Sequence, residues 1–426
     1  MAQRRVKPSE IELEIAEIGN RGDAIAHWQG TTVYVPGGAP GDRLRVRLAG
    51  KIAGGALVAE PLELVHPGPA RQTPPCRHFG ACGGCRLQHI DDPTYAAWKT
   101  GQVARALAHR GLDAIAVAPL VRTPPDGRRR ARLAARRSAK GVFLGFHEGR
   151  SQRIVDLAEC HILEPRLFAL LDPLRAVLAE VLAPAEPCGL MACALDDGID
   201  LVIEAARPPD LAARETLAAF AHTQDLARLS WRIGEGEAEP VCARRSAVLR
   251  HDGVAVAVPP GPFLQASRAA EAVLTAAVVE ALDGRQRVAD LFCGLGAFAL
   301  PLARHARVLA ADSDGAAVAA LAVAAQAAGR PVEAHARNLY SRPLGTPELA
   351  ALDAVVLDPP RLGARDQVAA LAASPVPVVA MVSCNPATFA RDARLLVDGG
   401  YACPSVMPVD QFVWSPHVEL LGIFRR

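Results

Sequence analysis

A chain of 426 residues, half of them apolar, can supply two to four domains with substantial cores. Its net charge of +2 gives the whole molecule no nucleic-acid signature, and its ten cysteines are too sparse for a disulfide scaffold. No run approaches the roughly 18 apolar residues of a membrane span, and the first residues lack the apolar core of a secretory signal. The expectation is a cytoplasmic, monomeric enzyme with no membrane partner.

Residues 10–65 read as short strands, IELEIAEI, AIAHW, TTVYVP, DRLRVRL and ALVAEPLELV, broken by turns such as Pro36-Gly37-Gly38. That spacing predicts a small barrel of the OB type over residues 1–66, a fold that often grips nucleic acid. Arg43, Arg45 and Arg47 alternate along one strand face, which suits either RNA contact or a solvated edge. The Pro-rich HPGPARQTPP over 66–75 reads as a linker.

A central domain is expected over 67–262. Between Lys99 and Arg153 there are 13 Lys and Arg against three Asp and Glu, centred on Arg128, Arg129, Arg130, Arg132, Arg136 and Arg137. Such concentrated charge neutralises phosphates by counterion release, so RNA contact is expected here; a solvated face is the plainer alternative. The same region holds Cys76, Cys82 and Cys85, with Cys160 far behind them. Four thiolates suit tetrahedral zinc or a cubane iron–sulfur cluster, and the spacing leaves both open. Cys188, Cys193, Cys242, Cys293 and Cys403 read as core residues.

From about 263 to 426 strands alternate with helices, which predicts a doubly wound, mostly parallel sheet. Its first strand ends in Asp290-Leu-Phe-Cys-Gly294-Leu-Gly296, where glycines allow a tight turn close to a ligand. The second ends in Asp312, placed to meet a ribose diol. This pair implies a nucleoside-type cofactor, S-adenosylmethionine in preference to NAD. Asn338 follows the third strand, where it suits an adenine edge or a simple turn. The fourth strand ends in Asp358-Pro359-Pro360-Arg361, and the fifth in Ser383-Cys384-Asn385-Pro386. The prolines fix an extended turn at the ligand-binding edge, and Cys384 at a neighbouring strand tip is a candidate nucleophile.

Together DLFCGLGAFALPLA, LDPPRLGA, MVSCNPATFARD and the terminal HVEL resemble the RNA uracil-5 methyltransferase family, with coverage over about residues 10–426. The resemblance implies an α/β fold: a class I, Rossmann-like methyltransferase domain over 263–426, an N-terminal TRAM barrel, and a small α+β central domain carrying the cysteines. It implies S-adenosylmethionine-dependent formation of 5-methyluridine in rRNA or tRNA. Cys384 would be the nucleophile and Glu419 the base, with Gln265, Phe292, Asp312, Asn338 and Asp358 around cofactor or target base, beside Gly294 and Gly296. The cysteine spacing resembles the [4Fe-4S] site of the rRNA-modifying branch, which points to 23S rRNA as partner. The chain departs from the family pattern at Ala297 and Ser267, where many members have Asn, and at Asp312, where many have Glu.

The chemistry agrees. C5 of uracil is a poor nucleophile until a thiolate adds to C6, and a base must then remove the C5 proton. Two other functions compete. Amino-group methylation fits the acidic-Pro-Pro turn but expects an aromatic where Arg361 stands, and it needs no Cys384–Glu419 pair. A cluster-bearing RNA-binding protein with a decayed catalytic domain is disfavoured by the intact Cys384, Glu419 and Asp358.

Overall fold

The computed structural model describes residues 10–52, 54–149 and 151–426. The strands Glu10–Ile18, Ala24–Trp28, Thr31–Val35, Arg43–Lys51 and Leu57–His66 close into a five-stranded barrel. Strict alternation along Arg43–Lys51 turns Leu44, Val46 and Leu48 inward and leaves Arg43, Arg45 and Arg47 outside. The outer row is already neutralised by acidic residues on adjacent strands: Arg43 meets Glu12 at 3.2 Å, Arg45 meets Glu63 at 2.9 Å and Arg47 meets Glu10 at 3.1 Å. This arginine face is therefore a cross-strand ion-pair ladder, neither a bare basic row nor a simple solvated edge.

The segment after the barrel is pinned to it. The buried Asp42 carboxylate accepts from the Gly68 amide at 2.8 Å and from the Arg71 guanidinium at 2.6 Å. A six-stranded sheet follows, ordered Ala238–Ala243, Arg228–Ile233, Gly198–Ala205, Pro187–Leu195, Arg130–Ser138, Gly141–Gly145. The helices Leu171–Val181 and Leu211–Thr223 bury Leu174, Leu178, Leu217 and Phe220 in its core. Sheet and helices together make an α+β unit in the middle of the chain.

The last sheet runs Val332–Ala336, Arg307–Asp312, Arg287–Leu291, Ala354–Leu357, Val378–Ser383, Glu419–Arg425, Ser405–Asp410. The first five strands are parallel, and Glu419–Arg425 is antiparallel to both its neighbours. Continuous apolar stretches such as AVVL and VVAMVS are buried throughout, as a sheet covered on both faces requires. Strand order reverses between Arg287–Leu291 and Ala354–Leu357, so the carboxyl ends there form the ligand-binding crevice.

Two domain boundaries differ from the sequence division. Ala116–Val117 and Val121–Arg122 pair with Ser405–Asp410 and extend this last sheet, although they lie within 67–262. The hairpin Val248–His251 with Val254–Ala257 buries Leu249 and Val256 in the core shared with Leu274 and Val288. Two-residue strands and a short hairpin carry too little periodicity to declare which sheet they join. Among the described residues no helix is long and apolar enough to cross a membrane.

Candidate active site

Each functional side chain stands at a strand tip or in the turn that follows one. After Leu291 the backbone enters the left-handed region at Phe292 (φ 66°), Gly294 (φ 50°) and Gly296 (φ 87°). A non-glycine residue held there is a strained position that surrounding structure must maintain. A Cβ on Gly296 would lie 2.5 Å from Leu321 Cδ1, so this glycine serves close helix packing and does not line the cavity. Asp312 Oδ2 accepts from the Gly294 amide at 2.9 Å and Oδ1 from the Asp314 amide at 2.9 Å, which ties the two strand-end turns together.

A cavity of about 510 Å³ opens beside these turns. Of the expected residues it is lined by Gln265, Phe292, Gly294, Asp312, Asp358, Cys384 and Glu419. Asn338 is absent from its wall: its Oδ1 caps its own turn by accepting from the Tyr340 amide at 3.0 Å and the Ser341 amide at 3.4 Å. That is the turn-forming alternative, and Tyr340 takes the place instead, its ring 5.6 Å from that of Phe292.

Acidic groups line and back this cavity, Asp358 and Glu419 in its wall and Asp290 buried outside it. Asp290 is fully buried, and neither oxygen meets a donor in good geometry, the Ala299 amide giving only partial relief. Burial and the nearby Asp358 charge push its pKa to about 8. Burial raises Asp358 to about 7, opposed by the hydrogen bond from Gln265 Nε2 at 2.7 Å. Glu419, 2% exposed, is raised well above the ordinary carboxylate range by burial and by Asp358, opposed by a hydrogen bond from Gln411. Cys384 is half-buried; burial, Glu419 and Asp358 raise its thiol to about 11, while Arg361 pulls the other way.

The tip bearing Cys384 is fastened to the Asp358-Pro-Pro-Arg361 turn. Asn385 caps the helix Pro386–Asp398 through the Ala387 amide at 3.1 Å, and its Nδ2 donates to the Arg361 carbonyl at 3.0 Å. The Thr388 hydroxyl reaches the same carbonyl at 3.3 Å. Arg361, in the place where an amino-methylating enzyme carries a stacking aromatic, lies 3.5 Å from His417 Nε2.

A second, larger concavity of about 910 Å³ meets the first at Cys384, with Arg128, Arg361, Phe412 and His417 shared between the two. Its walls come from the barrel (Arg21), the cysteine loop (Arg86), the helix region 92–110 (Arg105, Arg110) and the central sheet (Arg132). Among the described residues Glu148 is its single acidic lining side chain. The basic stretch therefore contributes, but not uniformly. Arg129 is 1% exposed, ion-paired with Glu271 and bonded to the Gln265 carbonyl at 3.0 Å, so it positions Gln265 and cannot meet a phosphate.

The four expected cluster cysteines are free and half-buried, and their charges act on one another. Burial, then the neighbouring sulfurs Cys160, Cys82 and Cys76, raises Cys85 to about 12. Backbone amides surround them: Gly84 donates to Cys82 Sγ at 3.4 Å, His78 and Phe79 face Cys76, and Ile162 and Leu163 face Cys160. Among the described residues no three Cys, His, Asp or Glu side chains are grouped as a ready metal site. The donor set itself, four thiols with amide partners, suits an iron–sulfur cluster, whose sulfurs are commonly hydrogen-bonded. The loop is continuous with the active site, since the Arg86 and Leu87 amides donate to the Trp414 carbonyl at 2.8 and 3.1 Å.

Comparison with known proteins agrees with this architecture. The chain is 42% identical to an RNA methyltransferase of Caulobacter vibrioides described as uncharacterized, covering 97% of this chain and 100% of that one. A counterpart in Brucella melitensis is 41% identical over 97% and 98% of the two chains. The 23S rRNA (uracil(1939)-C(5))-methyltransferase of Chromohalobacter salexigens is 35% identical over 100% of this chain and 91% of its own. The chain belongs to the RNA uracil-5 methyltransferase family. This RNA methyltransferase shares its fold with the Pyrococcus abyssi tRNA (uracil-54, C5)-methyltransferase solved with S-adenosyl-L-homocysteine, at TM-score 0.77 and 22% identity over 97% and 99% of the chains. No protein-family model matches the sequence. In this methyltransferase, sequence inspection gave no role to Gln411, Phe412, Tyr340 or His417 at the site, although His417 opens the quoted HVEL. Only that motif, with Gln411 six residues before it, could have signalled them.

Proposed function

We propose that the enzyme transfers the methyl group of S-adenosylmethionine to C5 of a uridine in 23S rRNA through a covalent Cys384–C6 intermediate. The observation that carries this is the position of Cys384, at the junction of an acidic, aromatic-edged cavity with an arginine-lined groove. Cofactor would occupy the first, with Phe292 and Tyr340 beside its adenine, Asp312 towards its ribose and Asp358 facing its cationic end, while Asp290 lies buried behind the wall. RNA would follow the second, and the target base, unstacked from its neighbours, would enter at Cys384.

The chemical steps fall to residues already in place. The Cys384 thiol must give up its proton, to solvent in the groove it lines, before it can add to C6, and the Arg361 guanidinium favours the thiolate. Addition would place electron density on C5, which takes the methyl group as the sulfonium–methyl bond breaks and its electron pair stays on the neutral thioether sulfur. The C5–H bond then breaks, its proton passes to Glu419, its electron pair restores the C5–C6 double bond, and the C6–S pair returns to Cys384. Cys76, Cys82, Cys85 and Cys160 would hold a [4Fe-4S] cluster that stiffens the junction between central domain and active-site loop.

The test maps a labelled methyl group in total RNA from a strain lacking this gene, after incubation with the purified enzyme. Label at one uridine of 23S rRNA supports the proposal. Label in a tRNA loop moves the substrate to tRNA, and no label on uracil C5 overturns the reaction.

A further inference from the structure

Gln411 lies immediately after the strand Ser405–Asp410 and is 5% exposed. Its Nε2 donates to Glu419 Oε2 at 2.9 Å and to Gln265 Oε1 at 2.8 Å, and Gln265 Nε2 donates onward to Asp358 Oδ2 at 2.7 Å. A four-membered line thus joins the carboxyl assigned as base to the carboxyl that faces the cofactor cavity. With both carboxyls ionised its polarity is fixed. Both partners of Gln411 are acceptors, so its NH2 group must face them, and its own Oε1 is left buried without a partner among the described residues. Because the Gln265 carbonyl is taken by Gln411, the Gln265 NH2 has to face Asp358. A reversed Gln411 amide would set carbonyl oxygen against carboxylate oxygen.

We propose that Gln411 is the positioning residue of the deprotonation step: it holds the Glu419 carboxyl in the orientation that receives the C5 proton, and it fixes the Gln265 amide towards Asp358. This rests on the uridine-methylating function above and adds to it a residue that does not itself touch the reacting atoms. The step served is the last one, in which the C5–H bond breaks, the proton goes to Glu419 and the C6–S electron pair returns to Cys384. The Gln411 hydrogen bond also opposes the rise in the Glu419 pKa caused by burial and Asp358. The charged and titratable groups around Glu419 are Cys384 at the end of the neighbouring strand and Asp358 after the next one, with Arg361 and His417 beside Cys384 and the Lys99–Asp410 pair behind Gln411.

The experiment uses the full-length enzyme with Gln411→Met, which keeps length and volume but removes the donor. Cofactor and RNA dissociation constants should stay within about threefold of wild type, while multiple-turnover rate falls at least about tenfold. A denaturation-resistant adduct with ordinary, unfluorinated RNA should accumulate at neutral pH and clear as pH is raised, because the less stabilised carboxylate forms only at higher pH. Disruption of the fold alone would lower binding and adduct formation together. If Gln411→Met does not bind cofactor, Gln411→Asn, whose amide falls one methylene short of spanning both partners, is measured in the same way. Turnover within about twofold of wild type, or slow turnover without adduct, overturns the proposal. Failure of the wild-type enzyme to form any adduct with 5-fluorouridine RNA overturns the underlying reaction instead.

Discussion

The Lys99 ammonium and the Asp410 carboxylate lie 2.7 Å apart with neither side chain exposed. The same ammonium donates to the Phe412 carbonyl at 3.1 Å and to the His417 carbonyl, and the Tyr95 hydroxyl donates to Asp410 at 3.0 Å. One cation thus gathers both ends of the loop between the last two strands, the loop that brings Gln411 and His417 to the site. Lys99→Met should destabilise by up to about 3–5 kcal/mol, because it leaves the buried Asp410 with only the more distant Arg122 guanidinium, 3.6 Å away, as counter-charge. Denaturant titration checks this. The double variant Lys99→Met with Asp410→Leu should recover part of that stability while turnover stays low, since the loop carbonyls remain unheld.

RNA affinity should depend on exposed groove arginines and not on the whole basic stretch. Arg105→Glu with Arg110→Glu should weaken RNA binding and flatten its salt dependence, by roughly 0.7–0.9 in slope for each phosphate no longer neutralised. Cofactor affinity should not change. Arg129→Glu should instead destabilise the protein, because a carboxylate would replace a buried cation opposite Glu271. Binding titrations over a range of salt, paired with thermal melts, distinguish the two outcomes.

That contrast shows what a sequence can and cannot express. Asp290, Asp312, Asp358 and Cys384 were legible because each lies at or just past the carboxyl end of a buried parallel strand, and such strands all end at one edge. Arg129 was not, because a run of charge says nothing about which side chains turn inward. Gln411 reaches Gln265, 146 residues away, only through the antiparallel return of Glu419–Arg425 beside Ser405–Asp410. Asn338 looked like a ligand because position alone cannot separate a cavity wall from a turn cap.

The two raised carboxyls make cofactor binding pH-dependent. Asp358 at about 7 and Asp290 at about 8 keep their protons in the folded protein to higher pH than in the unfolded chain, where Asp titrates near 3.8. Between about 4 and 8 the folded state therefore binds more protons, so stability of the cofactor-free protein falls as pH rises through this window. A cationic cofactor favours the ionised carboxyls, so its binding should release protons near neutrality and tighten as pH rises from about 6 to 8. Calorimetry in buffers of different ionisation enthalpy measures that release. Asp290→Asn should flatten the stability profile, and an unaltered profile would remove Asp290 as its source.

Protein purified without oxygen should be brown and contain iron and sulfide in amounts matching Cys76, Cys82, Cys85 and Cys160. Stoichiometric zinc without sulfide would replace the cluster by a structural ion. Cys82→Ser should lower solubility or RNA affinity, since the loop contributes Gly83, Gly84 and Arg86 to the groove.

In the proposed reaction Cys384 and Glu419 serve different steps, so their variants should fail in different ways. Cys384→Ala should abolish methyl transfer and every covalent complex with 5-fluorouridine RNA, because nothing remains to add to C6. Fluorine at C5 cannot leave as a proton does, so wild-type enzyme should be trapped after methylation. Glu419→Gln should still add and methylate, yet release product slower by about 10²-fold or more, the usual contribution of a positioned base. Its covalent adduct should then build up on ordinary RNA. Asp358 shares the cavity and has a raised pKa of about 7, so it is the competing base. A gel run under denaturing conditions decides among them: an adduct in Cys384→Ala would remove the nucleophile assignment. Normal turnover in Glu419→Gln would transfer the base role to Asp358 or to a water it holds.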